Sequence, residues 1–329
     1  MPASIVVTGP TASGKTAVAV ELAQRLSGEV INADSSQVYR KFDIGTAKPT
    51  PDEQRKVRFH LVDCADPDEA FNAARWKEAA ECAVDAIRRR ARRVIVCGGT
   101  GLYIRALVRG WSLGSLPAVP EIRAALHHEM QQRGAADLYQ ELERVDPDTA
   151  RTVHPNNRVR VERALEVFRA TGVPLSMRQF APGGGPRTKW VVFGLDLDRE
   201  CLYRRIQDRV EAMLARGLVA EIDLLLASGV HASAAGFRSL GYREILQVKE
   251  GLIAESALAE TITRNTRRYA RRQLTWLRAE PELIWITADG RSAADIADEI
   301  VRRVERTDSV DGTDNSEGAA VTSSYQIPA

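Results

Sequence analysis

A β-branched run, Ser4–Thr8, breaks directly into Gly9-Pro10-Thr11-Ala12-Ser13-Gly14-Lys15-Thr16, and a helical pattern follows at once. The succession fits G-x-x-x-x-G-K-[ST] in the strand–loop–helix setting that the motif requires. Glycines near both ends let the backbone curl so that consecutive N–H groups face one concavity. The helix N-terminus behind them adds positive potential. Lys15 is placed to reach the outer phosphates, and the Thr16 hydroxyl to ligate Mg²⁺. A chain built on this feature needs a parallel strand with a polyphosphate at its C-terminal end. The motif alone names neither ATP nor the fate of the phosphate.

The rest of the first 110 residues keeps the same alternation. Glu29–Ala33, Phe59–Asp63 and Arg93–Cys97 are short, β-branched-rich runs, while Lys15–Leu26 and Ala73–Ala91 carry helical spacing. The predicted fold is therefore α/β, a phosphate-loop NTPase-like parallel sheet with helices on both faces. Past Trp111 the pattern changes. Residues 112–120 are punctuated by Gly and Pro, Pro120–Gly172 reads as helices alone, and Ala181–Arg187 (APGGGPR) is a return loop. Lys189–Leu197 resumes as a central strand and Leu283–Thr287 offers a last one. The expected organisation is a discontinuous core, 1–111 and 188–306, a helical insertion domain over 112–187, and a disordered tail over 307–329.

Composition narrows the class. The chain has 329 residues, 27% of them charged, and a formal net charge of +2, so bulk charge does not by itself demand a nucleic acid. Only seven of the 46 basic residues are Lys, and Arg forks suit planar phosphate recognition. Cys64, Cys82, Cys97 and Cys201 stand singly, which argues against a disulfide framework or a zinc site. There is no basic, apolar leader and no run near the roughly 18 apolar residues of a membrane span. A cytoplasmic protein without a membrane partner is expected.

Two further segments fall on the edge of the sheet where α/β proteins bind ligands. Asp34 follows the second strand, where it is either a metal ligand or a general base. Gly98-Gly99-Thr100 ends the fourth strand, with the Thr100 hydroxyl able to donate to a phosphate or bridging oxygen.

GPTASGKT (9–16), INADSSQVY (31–39), DIGTAKP (43–49), GGTGLY (98–103), HPNN (154–157) with RALEV (163–167), GYRE (241–244) and RRQLTWLR (271–278) occur in one order. In that order they resemble the tRNA dimethylallyltransferase (tRNA isopentenyltransferase, or IPP transferase) family, from about Ile5 to about Arg278. The resemblance implies prenyl transfer. Dimethylallyl diphosphate would lie in the loop from Gly9 to Thr16, with Mg²⁺ at Thr16, and N6 of adenosine 37 of tRNA would attack the allylic carbon. Asp34 is carried over as the general base, Lys15, Thr100 and Arg209 as groups acting on the leaving diphosphate, and Thr100 also as a contact to the RNA. The resemblance further implies RNA contacts from Asp34, Ser35, Ser36 and Gln37, from Arg123, and from Val159, Arg160, Val161, Glu162 and Arg163. A last set is Arg238, Ser239, Leu240, Gly241, Tyr242 and Arg243. The anticodon stem-loop is the implied partner, the insertion a clamp hinged at 112–120 and 181–187, and the protein a monomer.

Arg264, Arg267, Arg268, Arg271 and Arg272 recur at i, i+3, i+4, i+7 and i+8, which puts five guanidinium groups on one helix face. Either tRNA phosphates or acids of another element would balance them. Three rivals compete with the prenyl-transfer reading. A small-molecule kinase leaves DIGTAKP without a role. An adenylate isopentenyltransferase has no need of the insertion. A non-catalytic RNA-binding protein has no need of Lys15, Thr16 and Asp34 together.

Overall fold

Six apolar runs form one parallel sheet: β1 (Ser4–Thr8), β2 (Gly28–Asn32), β3 (Phe59–His60), β4 (Arg93–Gly98), β5 (Trp190–Asp196) and β6 (Leu283–Thr287), in the order β3-β2-β4-β1-β5-β6. The computed structural model describes residues 2–111, 113, 119–179 and 188–313. The expected hinge at 181–187, most of the one at 112–120, and 314–329 of the expected tail lie outside them. The third strand is shorter than the sequence suggested. Leu61 and Asp63 take positive φ (60° and 52°), so extended pairing cannot continue past His60.

Both faces of the sheet are covered, as near-continuous apolar strands require. On one face Ile5, Val7, Ile95, Val191 and Phe193 pack with Val18 and Leu22 of α1 (Lys15–Arg25) and with Ile296 and Ile300 of the last helix, Ala293–Thr313. On the other face Val6, Ile31 and Val96 are equally buried, and Arg88 from the helix Ala73–Arg89 donates to Ser4 Oγ at 3.3 Å. With α2 (Pro51–Lys56), the Ala73–Arg89 helix is α3 and α4 is Gly101–Val108. The last helix runs through residues expected in the tail. Asp308 accepts from the Ala3 amide and from Arg93 Nη2, both at 2.9 Å, and so ties its end to β1 and β4.

β1 and β4 are neighbours whose onward connections run in opposite directions, β1 to β2 and β4 to β5. Ligands in open α/β sheets bind at such a switch point, beyond the strand C-termini. The phosphate loop and Gly98–Thr100 flank it.

Residues 70–82 and 101–187 form a second compact unit, wider than the expected 112–187. Its start shifts because Trp76 stacks on Tyr103, with centroids 4.5 Å apart and planes 13° apart. Its helices are α5 (Pro120–Arg133), α6 (Ala135–Val145), α7 (Pro147–Thr152), α8 (Arg158–Thr171) and α9 (Leu175–Gln179), packed around Leu126, Leu138, Leu142 and Leu165. In the sheet unit, β5 leads into α10 (Arg199–Ala215), α11 (Leu218–Ala227), α12 (Tyr242–Lys249) and α13 (Leu258–Arg278), and α14 is the terminal Ala293–Thr313.

Candidate active site

The phosphate loop is built to face an anion. Gly14 caps α1 at φ 87°, a conformation that strains any side chain, and no side chain caps the helix. Ala12 also takes a left-handed φ of 64°. The Thr11 N–H donates to Gln273 Oε1 at 2.8 Å and the Ser13 N–H to Pro10 O at 3.2 Å. The first amides of α1 therefore point at the mouth without a helical partner. The hydroxyls of Thr8 and Ser13 are buried with no hydrogen-bond partner among the described residues. Lys15 Nζ folds back to donate to Pro10 O at 3.3 Å.

Asp34 stands just beyond β2. Asn32 shapes its turn by accepting from the Asp34 amide at 3.0 Å and donating to Asp34 O at 3.2 Å. One carboxylate oxygen of Asp34 accepts from the Ser36 amide at 2.9 Å. Thr100 stands beside it and differs from expectation. Its hydroxyl accepts from the Ser35 amide at 3.0 Å and donates to Ser35 Oγ at 3.3 Å, so it holds the loop carrying Asp34 rather than standing free. Gly98 must be glycine here, because a Cβ would lie 2.2 Å from the Ala33 carbonyl.

Lys15, Thr16, Asn32, Asp34 and Arg209 line one pocket with Thr11, and Val30, Ala47, Pro49 and Phe59 form its apolar part. Burial pushes the Lys15 ammonium below its ordinary range; Asp34 works against that shift, and Arg209 adds to it. Burial likewise lowers Arg209, with Asp34 opposing. Burial pushes the Cys97 thiol up to about 12, so it is a neutral wall and not a nucleophile. Tyr269 is raised by burial and then by Asp34. Two half-buried cations thus share a pocket with one carboxylate, an imbalance that a bound anion would relieve.

The sequence missed several residues here. DIGTAKP is held from far along the chain. Glu221 accepts from the Ile44 amide at 2.9 Å, and the Tyr242 hydroxyl accepts from the Gly45 amide at 3.1 Å while donating to Glu221. Lys48 Nζ donates to Tyr39 O at 2.7 Å and to the carboxylates of Asp43 and Asp63. Arg205, one turn before Arg209, has Nη1 3.8 Å from where a Cβ on Gly14 would stand. The i, i+4 spacing of the two arginines was the available signal. Gln273 was hidden inside an arginine-rich helix.

The IPP transferase family model matches residues 37–280. The chain is 49% identical over 295 residues to a tRNA dimethylallyltransferase 1 of Trichlorobacter lovleyi, covering 89% of this chain and 96% of that one. It is 47% identical to the corresponding protein of Pelobacter propionicus, over 87% and 93%. The chain belongs to the IPP transferase family. Among solved structures, a full-length tRNA isopentenylpyrophosphate transferase of Bacillus halodurans superposes with a TM-score of 0.70 at 35% identity, covering 95% of this chain and all of that one. A eukaryotic dimethylallyltransferase acting on tRNA gives 0.78 at 26% identity, over 96% and 81%.

The RNA contacts expected of an IPP transferase divide by burial. In the sheet unit Arg238 is exposed, Ser35, Ser36, Ser239 and Leu240 are half-buried, and Gln37 is buried with its amide donating to Thr46 O and Ala47 O. Tyr242 is 0% exposed and Gly241 is buried, so the Tyr242 side chain leaves the RNA-facing set and serves the 43–45 loop. Arg243 is exposed but donates to buried Glu244 at 2.5 Å. In the helical unit Val161 is core, 1% exposed, and is likewise removed. Val159 and Arg160 are exposed and Glu162 is half-buried. Arg123 and Arg163 both donate to Glu166, at 3.0 and 2.8 Å.

The arginine stripe also divides. Arg267 lies 5.0 Å over the Tyr203 ring and belongs to the packing. Arg264, Arg268, Arg271 and Arg272 are exposed, and among the described residues none is paired with an acid. Among the described residues no helix is long and apolar enough to cross a membrane.

Proposed function

We propose that this IPP transferase moves the dimethylallyl group of dimethylallyl diphosphate onto N6 of adenosine 37 in tRNA, with Asp34 as general base. The C–O bond to diphosphate breaks, the N6–C bond forms, the N6 proton passes to the Asp34 carboxylate, and diphosphate leaves. An aromatic amine is a weak nucleophile, so the barrier yields mainly to stabilisation of the departing oxygens. The α1 amides, Lys15 and Arg209 supply that charge. Among the described residues Asp34 is anchored through Oδ1, by the Ser36 amide, which leaves the other oxygen to meet N6. Thr100 acts by fixing the Asp34 loop.

Mg²⁺ fits this donor set. The Thr16 hydroxyl is a hard oxygen in the pocket, and Mg²⁺ is usually held by one or two protein oxygens, water and substrate phosphates. When bound, it would neutralise charge on the diphosphate.

The exposed guanidinium groups of Arg264, Arg268 and Arg271, with no ion pair among the described residues, support a polyanionic acceptor. A flipped-out base would reach the pocket from the anticodon loop, where unstacked nucleotides are the recognisable form of RNA. The observation that carries the reading is the convergence of Lys15, Thr16, Arg209 and the single carboxylate of Asp34 on one pocket at the phosphate loop. Labelled dimethylallyl diphosphate offered with unmodified tRNA, AMP or ATP tests it. Label is expected on tRNA alone; label on AMP instead of tRNA would make this a cytokinin-forming enzyme.

A further inference from the structure

Gln273 on α13 is 3% exposed, yet its side chain is among the most committed polar groups near the site. Its Oε1 accepts from the Thr11 amide at 2.8 Å and its Nε2 donates to Gly99 O at 3.0 Å. The partners fix the amide's orientation, since a backbone N–H must face the oxygen and a carbonyl must face the NH₂. One side chain therefore joins the loop after β1 to the loop after β4. Gly99 is shaped by the same approach: a Cβ there would lie 2.3 Å from Gln273 Nε2.

We propose that Gln273 is a positioning residue for prenyl transfer, setting the phosphate loop and the Asp34 loop in a single register. This rests on the reading of the site as a diphosphate grip beside a general base. From Gly99 the connection continues without a break. The Thr100 amide donates to Ala33 O at 3.1 Å, Thr100 Oγ1 accepts from the Ser35 amide, and Asp34 accepts from the Ser36 amide. On the other side, the Thr11 N–H engaged by Gln273 is withdrawn from the concavity. With Ser13 N–H bonded to Pro10 O, an anion meets the amides at the start of α1. Gln273 thereby sets which donors face the leaving group and how far they stand from the base. Only a side chain that donates and accepts at once fills this place; an ionised carboxylate accepts from Thr11 but repels Gly99 O.

The test uses the full chain with tRNA and dimethylallyl diphosphate, comparing wild type, Gln273→Glu, Gln273→Met and Lys15→Ala across pH. Gln273→Met removes both hydrogen bonds at similar volume and should lower kcat about 100-fold, the scale of a small misplacement of reacting groups. KM for tRNA should hold, and each variant that is assayed should still unfold cooperatively well above the assay temperature, at a lower midpoint for the two buried bonds lost. Gln273→Glu should be as impaired in alkaline solution and regain activity relative to wild type as pH falls. A protonated carboxyl both donates and accepts, so it restores the bridge. A purely structural role would give recovery of activity only in step with recovery of the unfolding transition. If Gln273→Glu tracks the wild-type pH profile while Lys15→Ala loses diphosphate affinity, the Gln273 assignment is overturned and the site stands. If Lys15→Ala keeps that affinity, the diphosphate grip fails and the assignment falls with it.

Discussion

The core of the helical unit and the pocket of the sheet unit treat charge in opposite ways, although elsewhere in the sheet unit buried Glu244 and Glu29 are matched by Arg243 and Arg90. In the helical unit Glu166 and Arg169 each have partners of opposite sign. Glu166 is 1% exposed, and although burial works to raise its pKa, hydrogen bonds from Arg163 and Arg123 hold it below the ordinary carboxylate range. Arg169 is raised by Glu129, against burial, with Glu141 adding to the rise. In the sheet unit Lys15 and Arg209 are both pushed down by burial and share one carboxylate. Charge that is matched internally fixes a fold, whereas charge left unmatched in a pocket is held for a ligand. The contrast separates architecture from chemistry without reference to motif.

The largest effect should come from the sheet unit. Asp34→Asn should reduce turnover by about 10²–10⁴-fold, the usual cost of losing a general base, with both substrates bound nearly as before. Single-turnover kinetics reads this, and near-normal rates would leave Asp34 a turn-former. The matched charge of the helical unit should show up in stability. Glu166→Gln should cost about 1–3 kcal/mol in denaturant unfolding, as a buried hydrogen-bonded charge is lost. Because the native pKa of Glu166 is lowered, its stabilisation is complete above the ordinary carboxylate range and disappears as pH falls through the lowered value. The gap between the two proteins should therefore close in acid.

The smallest effect belongs to the exposed arginines. Arg268→Gln with Arg271→Gln should weaken tRNA binding and reduce its salt slope by about 2, roughly one for each phosphate no longer neutralised. Dimethylallyl diphosphate affinity should not change. Arg267 is the wrong member of the stripe to test, since its guanidinium stacks on Tyr203 and its Nε is buried.

What was readable in the sequence was local. The strand runs at Ser4, Arg93 and Leu283 match observed strands because burial on both faces leaves an uninterrupted apolar signature. The phosphate loop was legible because its donors lie within eight residues. DIGTAKP was not, because Glu221 and Tyr242 stand 177 and 197 positions away from the amides they hold. Helical periodicity put five arginines on one face but could not tell Arg267 and Arg272, which lie over aromatic rings, from Arg264, Arg268 and Arg271. It gave no hint that Gln273 looks inward. Val161 and Tyr242 were grouped with RNA contacts by position in motifs, while Val161 packs in the core of the helical unit and Tyr242 against the 43–45 loop.

The whole mechanism depends on Lys15 meeting the diphosphate as a cation in the pocket. Calorimetric titration of inorganic diphosphate into wild type and Lys15→Arg across pH examines this, because the ratio of the two affinities cancels the ligand's own titration. The ammonium binds the anion, and burial makes it lose its proton at lower pH than an exposed lysine at about 10.4. Wild type should therefore lose affinity relative to Lys15→Arg on the alkaline side, before that value is reached. A ratio that stays flat up to the ordinary lysine range would refute it.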